Sequence, residues 1–309
     1  MQITNKYNLP SSLSDALTND TYDISKVGNI LSVTTLINSP KISYLTRRHW
    51  DKLEQDISER IWLLLGSAVH SVLERIDETN RMIEKRMYAD TSNWELINKE
   101  NLKSNNLYIA GKPDLYETKE FSINDYKITS VWSIIYGKKE WEYQLNLYAW
   151  FYRKLGLKVE KLKIIAILRD WNKKECFNNP SYPKIPVAIV DVPLWTFEKQ
   201  DKYLKERYEL HSKYKDTKDD FIPECTPDER WKKTDTYAVY KNENKRAFKV
   251  FESGNDAEKF KDSMNIGKDK FTVVHRPSSD TRCLGYCSVN NFCHFYKKEY
   301  GVKNEWKKS

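Results

Sequence analysis

The chain has 309 residues, of which 52 are basic and 44 acidic, giving a formal net charge of +8 at pH 7. This length can bury one large core or two modest ones. The basic excess favours a polyanionic partner, although the many acidic residues dilute it. The sequence shows no apolar run long enough to cross a membrane and no secretory leader, so we expect a cytoplasmic protein.

Aromatic residues make up 13% of the chain, with ten Trp and twenty Tyr. Many of them neighbour Lys or Arg, an arrangement that suits stacking on single-stranded bases. Packing in a hydrophobic core is the alternative fate for these side chains. No low-complexity tract and no internal repeat is present.

The first third of the chain contains one segment with clear helical periodicity. Residues 1–27 predict a polar lead-in, and residues 28–105 a helical segment. Within residues 62–74, apolar side chains recur at helical spacing around Gly66, which permits close approach of a neighbouring element. His70 and Glu74 lie four residues apart and therefore share a helical face. His70 is either a hydrogen-bonded core residue or the histidine of a metal site.

The most informative stretch runs from residue 111 to residue 127, where Gly-Lys-Pro-Asp is followed by Asp-Tyr-Lys. If the β-prone segments 107–111 and 121–128 pair as antiparallel neighbours, Asp114 and Asp125 converge on one hard cation. Lys127 then shares a face with Asp125, because residues two apart on a strand point the same way. This arrangement suits phosphodiester cleavage, in which a bound cation activates water and the lysine stabilises charge. The alternative is a hairpin with ordinary surface charges.

Downstream residues complete an α/β pattern. Residues 141–152 predict a long amphipathic helix on which Gln144 and Tyr148 lie one turn apart, where they could contact phosphates or bases. An aromatic packing surface is the alternative for this helix. Residues 161–168 and 184–192 predict strands, the second at a sheet edge because prolines interrupt it. Residues 195–214 predict another amphipathic helix.

Four of the five cysteines occur in the C-terminal third of the chain, whereas Cys176 stands alone and is interpreted as a free thiol. In a reducing cytosol such clustering favours a metal over disulfides. Residues 236–240 and 246–251 predict a hairpin, 255–264 a helix and 271–275 a returning strand. The ends of a compact β-β-α-β module lie close together, which could bring the first cysteine beside the others. The four cysteines are Cys225, Cys283, Cys287 and Cys293.

Taken in order, these motifs resemble the PD-(D/E)xK nuclease superfamily, and within it the RecB-like branch. No single motif is specific, whereas four in this order at compatible spacing are. The resemblance covers about residues 28–170, and the segments 32–37, 47–50 and 125–132 are similar to phage-encoded members. The four motifs are Gly-x-x-x-His at Gly66 and His70, Gly-x-Pro-Asp at Gly111 and Asp114, Asp-x-Lys at Asp125 and Lys127, and Gln-x-x-x-Tyr at Gln144 and Tyr148.

The resemblance implies an α/β fold with a restriction-endonuclease-like core, a central mixed sheet flanked by helices, over residues 28–220. A cysteine-bearing β-β-α-β module follows over residues 221–309. The residues carried over are His70, Asp114, Asp125 and the carbonyl of Tyr126 as ligands of Mg or Mn; Asp114, Asp125 and Lys127 for catalysis; and Gln144 and Tyr148 on a substrate-facing helix.

The activity that the resemblance implies is that of a metal-dependent DNA nuclease. An exonuclease would act on single-stranded or duplex DNA ends in recombination, repair or phage genome processing. Its partners would be DNA and a recombinase or single-strand annealing protein, in the host cytoplasm if the protein is phage-encoded. The alternative is a non-catalytic DNA-binding or scaffold protein that retains the fold.

RecB-like members also suggest an iron–sulfur cluster, held by one distant cysteine and a C-terminal group of three. In those relatives the distant cysteine precedes the core beside a proline, whereas here Ser39 precedes Pro40. Cys225 would have to replace it. A four-iron four-sulfur cluster, a zinc ion and unligated thiols therefore remain as alternatives for Cys225, Cys283, Cys287 and Cys293.

Overall fold

The computed structural model describes residues 1–18, 29–103, 106–264 and 269–301. Within these ranges the protein is mixed α/β, with several sheets flanked by helices. None of the described helices combines the length and apolar composition that crossing a membrane requires.

The described strands and helices follow one another in the order of their numbers within each class. The strands are β1 (Gln2–Thr4), β2 (Ile30–Ser32), β3 (Glu54–Asp56), β4 (Arg81–Ile83), β5 (Met87–Asp90), β6 (Glu95–Ile97), β7 (Tyr108–Gly111), β8 (Leu115–Glu117), β9 (Ser122–Thr129), β10 (Lys161–Leu168), β11 (Val187–Val192), β12 (Lys232–Lys233), β13 (Thr236–Lys241), β14 (Lys249–Phe251), β15 (Phe271–Arg276) and β16 (Ser279–Asp280). The helices are α1 (Ser11–Thr18), α2 (Val33–Ile37), α3 (Pro40–Arg48), α4 (Ile61–Leu73), α5 (Val131–Tyr136), α6 (Lys139–Lys154), α7 (Lys173–Asn178), α8 (Phe197–Lys213), α9 (Gly254–Met264), α10 (Thr281–Gly285) and α11 (His294–Tyr296).

Tertiary contacts divide the chain into two compact units. Unit 1 comprises the described residues of Met1–Asn38 and Trp50–Asp216, and unit 2 those of Ser39–His49 and Thr217–Ser309. The boundary after residue 216 lies shortly before the one that the sequence indicates, and α3 belongs to unit 2 although it lies within residues 28–220. The described part of the lead-in, residues 1–18, contains helix α1 and strand β1, which pairs in parallel with β3.

Unit 1 contains two larger sheets. One has the strand order β11-β10-β9-β8-β4, in which β9 and β10 run parallel and the other neighbours antiparallel. The other has the order β2-β7-β5-β6. Strand β11 lies at an edge, as its flanking prolines predict. The prediction of a helical segment over residues 28–105 is only partly correct, because strands β2 to β6 lie there together with helices α2 to α4. At three or four residues, these strands are too short to show alternation.

Helix α6 forms the centre of the core of unit 1. Acidic Glu140 and Glu142 in its first turn and basic Arg153 and Lys154 in its last turn complement the helix dipole. It contacts strands of both larger sheets together with α2 and α8, and every residue from 144 to 152 is buried. The predicted amphipathic pattern is therefore incorrect, since a helix covered on most sides needs apolar or hydrogen-bonded residues all round.

In unit 2 the predicted β-β-α-β order is present as β13, β14, α9 and β15. Strand β13 lies between β14 and β15, antiparallel to both. Helix α9 covers one face of this sheet, where Val239, Ala257 and Phe271 are buried together. Strands β12 and β16, which flank the module in sequence, pair with each other and so bring its two ends together.

Candidate functional site

Asp114 and Asp125 are brought together by the pairing of β8 with β9. Leu115 lies opposite Asn124 in that antiparallel ladder, and one further step of the same register sets Asp114 against Asp125. The backbone N–H of Tyr126 donates to Oδ2 of Asp114 at 2.7 Å. Both carboxylates are buried, with 8% of Asp114 and 1% of Asp125 exposed.

The expected pairing of residues 107–111 with β9 is incorrect. That segment forms β7, which lies in the other sheet between β2 and β5. The Lys-Pro-Asp sequence after Gly111 separates β7 from β8, and Pro113 has no N–H to extend either ladder. The two aspartates nevertheless meet, because Asp114 directly precedes β8.

A third acidic residue, Glu84, completes a group that could hold a metal ion. The Nδ1 atom of His70 lies 2.7 Å from Oε1 of Glu84 and 3.8 Å from Oδ1 of Asp114. One ligand atom from each of the three residues lies within 4.8 Å of the others, and no other set of His, Cys, Asp or Glu in the described residues meets this condition. Neighbouring ligands of an octahedral magnesium ion lie about 3 Å apart, which this spacing approaches.

The environment of His70 fits a metal ligand. Its Nδ1 atom is buried and faces two carboxylates, at 2.7 Å from Oε1 of Glu84 and 3.8 Å from Oδ1 of Asp114. Imidazole nitrogen and carboxylate oxygen are donors that Mn²⁺ and other divalent cations accept.

Glu84 was not among the residues that the motifs indicate. Strand β4 pairs with β8 so that Ile83 lies opposite Leu115, which places Glu84 against Asp114 one step further. No motif marks this position, and its only sequence signal is a glutamate directly after a short strand. Glu74, which the helical periodicity places on the face of His70, is instead exposed at the end of α4.

Two opposing electrostatic effects act on these carboxylates. Burial and the charge of Asp125 raise the pKa of Asp114 to about 7, against the lowering effects of Lys127 and the Tyr126 N–H. Burial also acts to raise the pKa of Glu84, but the hydrogen bonds and charges of Lys112 and His70 outweigh it and hold this pKa below its ordinary value. A cation bound at this group would relieve the repulsion between Asp114 and Asp125.

Lys127 contacts Asp125, as the alternation along β9 predicts. Its Nζ atom lies 2.7 Å from Oδ2 of Asp125. The Asp125 side chain is 1% exposed and the Lys127 side chain is 30% exposed. A buried carboxylate is therefore paired with a partly exposed lysine. Asp125 is paired with Lys127 as Glu84 is with Lys112, and the role of Asp125 as a metal ligand stays a prediction.

The predicted substrate-facing role of Gln144 and Tyr148 disagrees with their burial in α6. Gln144 is 8% exposed and Tyr148 4%. The Nε2 group of Gln144 donates to Oδ1 of Asp125 at 3.3 Å and to the hydroxyl of Tyr148 at 2.9 Å. These residues support Asp125 from within the core. The burial arises because α6 is covered by both sheets. For Tyr126, the N–H contacts Asp114, and the role of its carbonyl as a ligand stays a prediction.

The four C-terminal cysteines line one small cavity of about 20 Å³ in unit 2. Burial raises the pKa of Cys225 to about 11 and that of Cys283 to about 12, and the other thiols add to both shifts. The Sγ of Cys225 lies 3.3 Å from Oγ of Ser39, the residue at the start of α3. Cys225 thus adjoins the Ser39-Pro40 position at which the RecB-like pattern has its distant cysteine.

The spacing of these thiols bears on what they could bind. A tetrahedral zinc ion with bonds of about 2.3 Å holds its sulfurs about 3.8 Å apart. The metal-ligand group found among the described residues consists of His70, Glu84 and Asp114, and the four sulfurs are not part of such a group.

Comparisons with known proteins give little further information. No family model matches the chain, and no curated protein does. A solved structure described as "Crystal structure of SSO0001" is similar over 65% of this chain and 84% of that chain, with 17% identity and a TM-score of 0.41. Similarity at that TM-score carries no argument about function. The candidate function therefore depends on the residues themselves.

Proposed function

We propose that the protein is a metal-dependent deoxyribonuclease that acts on DNA ends, in the manner of a RecB-like exonuclease. The observation that carries the proposal is the convergence of His70, Glu84 and Asp114 beside the Asp125–Lys127 pair. A buried histidine nitrogen that faces two carboxylates, one of them with a strongly raised pKa, is the kind of cluster that marks functional sites. The net basic charge agrees with a polyanionic substrate.

In this proposal His70, Glu84 and Asp114 hold a magnesium or manganese ion. When bound, the ion lowers the pKa of a water molecule and offsets negative charge on the phosphate. The Tyr126 N–H fixes one oxygen of Asp114 at 2.7 Å, which leaves the other oxygen directed towards His70. Lys112 contacts the second oxygen of Glu84 and holds that carboxylate ionised.

Lys127 and Asp125 have a separate task. The Lys127 ammonium has three donor hydrogens and contacts Asp125 with part of this capacity. We infer that this ammonium also stabilises the attacking water or a phosphate oxygen, because a cation beside the metal group offsets the charge that develops as the P–O bond breaks. Asp125 holds the ammonium in place, and Gln144 holds Asp125.

We also propose that Cys225, Cys283, Cys287 and Cys293 bind a metal group that stabilises unit 2. Their arrangement around one cavity supports this, and thiolates are the ligands of both a four-iron four-sulfur cluster and a structural zinc ion. Thiolate ligands suit such a cluster, whereas nitrogen and oxygen donors suit the ion at Asp114, so the two sites should be chemically independent.

The decisive experiment is an incubation of DNA with the full chain and Mn²⁺, with and without chelator. Single- and double-stranded substrates labelled at either the 5′ or the 3′ end would separate exonuclease from endonuclease products. Asp114→Asn should abolish cleavage, and Asp191→Asn, an exposed aspartate of β11, provides the matched control. DNA binding without any metal-dependent cleavage would instead assign the chain to non-catalytic DNA-binding proteins.

A further inference from the structure

Beyond Lys127, an exposed tryptophan of α4 is in contact with an arginine that directly follows β10. The guanidinium of Arg169 lies 4.1 Å from the ring centroid of Trp62, and Trp62 is 49% exposed. The N–H of Arg169 donates to the carbonyl of Thr129, the last residue of β9, at 3.0 Å. The Trp62–Arg169 pair therefore lies beside the end of the strand that carries Asp125 and Lys127.

A pair of exposed aromatic residues lies on helix α5, which begins close to Arg169. The rings of Trp132 and Tyr136 on α5 are stacked, with centroids 5.9 Å apart and an interplanar angle of 17°. They are 54% and 79% exposed. Helix α5 starts next to Arg169, because the N–H of Val131 donates to Oδ1 of Asp170 at 2.8 Å.

Positive charge lies at the end of β9, where an anionic polymer would be attracted. Lys127 is on β9, and the backbone of Arg169 is hydrogen-bonded to Thr129, the last residue of that strand. Lys138 lies between α5 and α6, with its Nζ atom 5.7 Å from the ring centroid of Trp141. Burial lowers the pKa of Lys138, Glu140 raises it, and the charges of Arg169 and Lys127 lower it further.

We propose that this surface, the aromatic track, binds a single-stranded DNA end and leads it to the Asp114–Lys127 site. The identity of the polymer follows from the proposed nuclease function. The aromatic rings would stack on bases and the cations would contact phosphates, which is how single strands are bound without regard to sequence. The aromatic track consists of Trp62, Trp132, Tyr136, Lys138 and Arg169.

The geometry favours a single strand over a duplex. Paired bases have their faces covered by their neighbours, so that exposed rings can stack only on unpaired bases or on a terminal pair. Trp62 and His70 are eight residues apart on α4, which is about 12 Å along the helix axis. Stacked nucleotides rise about 3.4 Å each, so a strand would place three or four of them between Trp62 and the metal group.

The test measures binding without cleavage. The full chain is titrated, in buffer with EDTA, into a fluorescein-labelled thymidine oligonucleotide of about 15 residues, and anisotropy is recorded. Trp132→Ala/Tyr136→Ala should weaken binding at least about tenfold, and Trp62→Ala about fivefold, with a smaller effect on a blunt duplex. Phe177→Ala removes a 78% exposed aromatic residue of α7 in the same unit and should leave affinity unchanged.

These measurements test the aromatic track and the nuclease proposal independently of each other. If wild-type protein binds the oligonucleotide through the aromatic track but never cleaves DNA, the nuclease proposal is wrong and the aromatic track stands. Unchanged affinity in both variants would overturn the aromatic track, and a change in oligomeric state with unchanged affinity would assign these aromatic residues to a second copy of the chain. An equal loss of affinity for single strands and blunt duplex would also contradict the inference.

Discussion

The backbone N–H of Glu84 donates to the carbonyl oxygen of Asp114 at 2.9 Å, just beyond the ladder between β4 and β8. The two acidic side chains consequently come from strands that hold each other in register. His70, on a helix, is the third member of the group. A site built on paired strands keeps its geometry better than one built on loops.

Glu84→Gln should weaken Mn²⁺ binding at least about tenfold, because the amide keeps the shape of the side chain but removes an anionic oxygen. Titration calorimetry of the full chain would measure this. Glu74→Gln is the matched control, since Glu74 lies four residues after His70 but is exposed. Equal affinities of both variants and the wild type would exclude Glu84 as a ligand.

The stability of the metal-free protein should decrease as pH rises towards 7. The pKa of Asp114 is raised from 3.8 to about 7, mainly by burial and by Asp125. Between pH 3.8 and about 7, Asp114 is ionised in the unfolded chain but still protonated in the folded chain. The free energy of unfolding therefore decreases as the pH rises through this range. Asp114→Asn removes this titration, so its Tm should exceed that of the wild type at pH 8, and the difference should shrink towards pH 5.

Thermal melts in chelator at several pH values would check this, with Asp191→Asn as the control for loss of an exposed aspartate. Added Mn²⁺ should raise the Tm of the wild type and leave that of Asp114→Asn unchanged. A difference between the two proteins that does not vary with pH would show that Asp114 ionises normally in the folded state.

Lys127→Ala should reduce turnover about 100-fold or more while Mn²⁺ affinity changes little, because an ammonium group stabilises charge but is not a metal ligand. It should also destabilise the metal-free protein, since buried Asp125 loses its cation at 2.7 Å. Lys163→Ala on the neighbouring strand removes only a contact to half-exposed Glu120 and serves as the control. Normal turnover in Lys127→Ala would remove Lys127 from the chemistry.

Local patterns in the sequence predicted the strand β10, the helix carrying His70 and the β-β-α-β order of unit 2. Each depends on periodicity or turn residues within one segment. The same alternation predicted that Lys127 would share a face of its strand with Asp125, and the two side chains are in contact. The predicted approach of Cys225 to the other three cysteines is also correct, although it spans a longer stretch of the chain. The paired flanking strands β12 and β16 bring together the ends of the inserted module.

The sequence failed where partners are distant along the chain. Glu84 could not be identified, because only the pairing of β4 with β8 brings it to Asp114. The pairing of residues 107–111 was wrong because β-propensity does not specify which strand becomes the neighbour. The environment predicted for Gln144 and Tyr148 was wrong, since the covering of α6 by two sheets is not visible in the residues of the helix itself.

Gln144 should act as a positioning residue for Asp125. Gln144→Ala removes the hydrogen bonds to Asp125 and Tyr148 and leaves a cavity, so it should lower both Tm and kcat while KM for DNA changes little. Gln144→Glu keeps the size but sets a carboxylate against Asp125, and should lower Tm further at neutral pH. Tyr148→Phe should cost only about 1 kcal/mol. A raised KM with unchanged Tm would instead return Gln144 to the substrate surface.

The cysteine site should be needed for the stability of unit 2 rather than for the chemistry at Asp114. Anaerobically purified protein should contain about four irons and a brown absorption band, or about one zinc and no colour. Cys225→Ser and Cys287→Ser should lose the metal and make residues of unit 2 sensitive to proteolysis, because structural metal binding is coupled to folding.

Cys176→Ser is the control for this series, because Cys176 lies on α7 in unit 1 and does not line the cavity. It should retain metal, colour and resistance to proteolysis. If Cys225→Ser keeps the full metal content while Cys283→Ser loses it, then Cys225 is only a buried thiol next to Ser39 and the ligand set is incomplete without another donor. If no variant changes the metal content and none is present, all four are ordinary buried thiols. The predictions for Glu84, Asp114 and Lys127 would be unaffected, because their donors belong to unit 1.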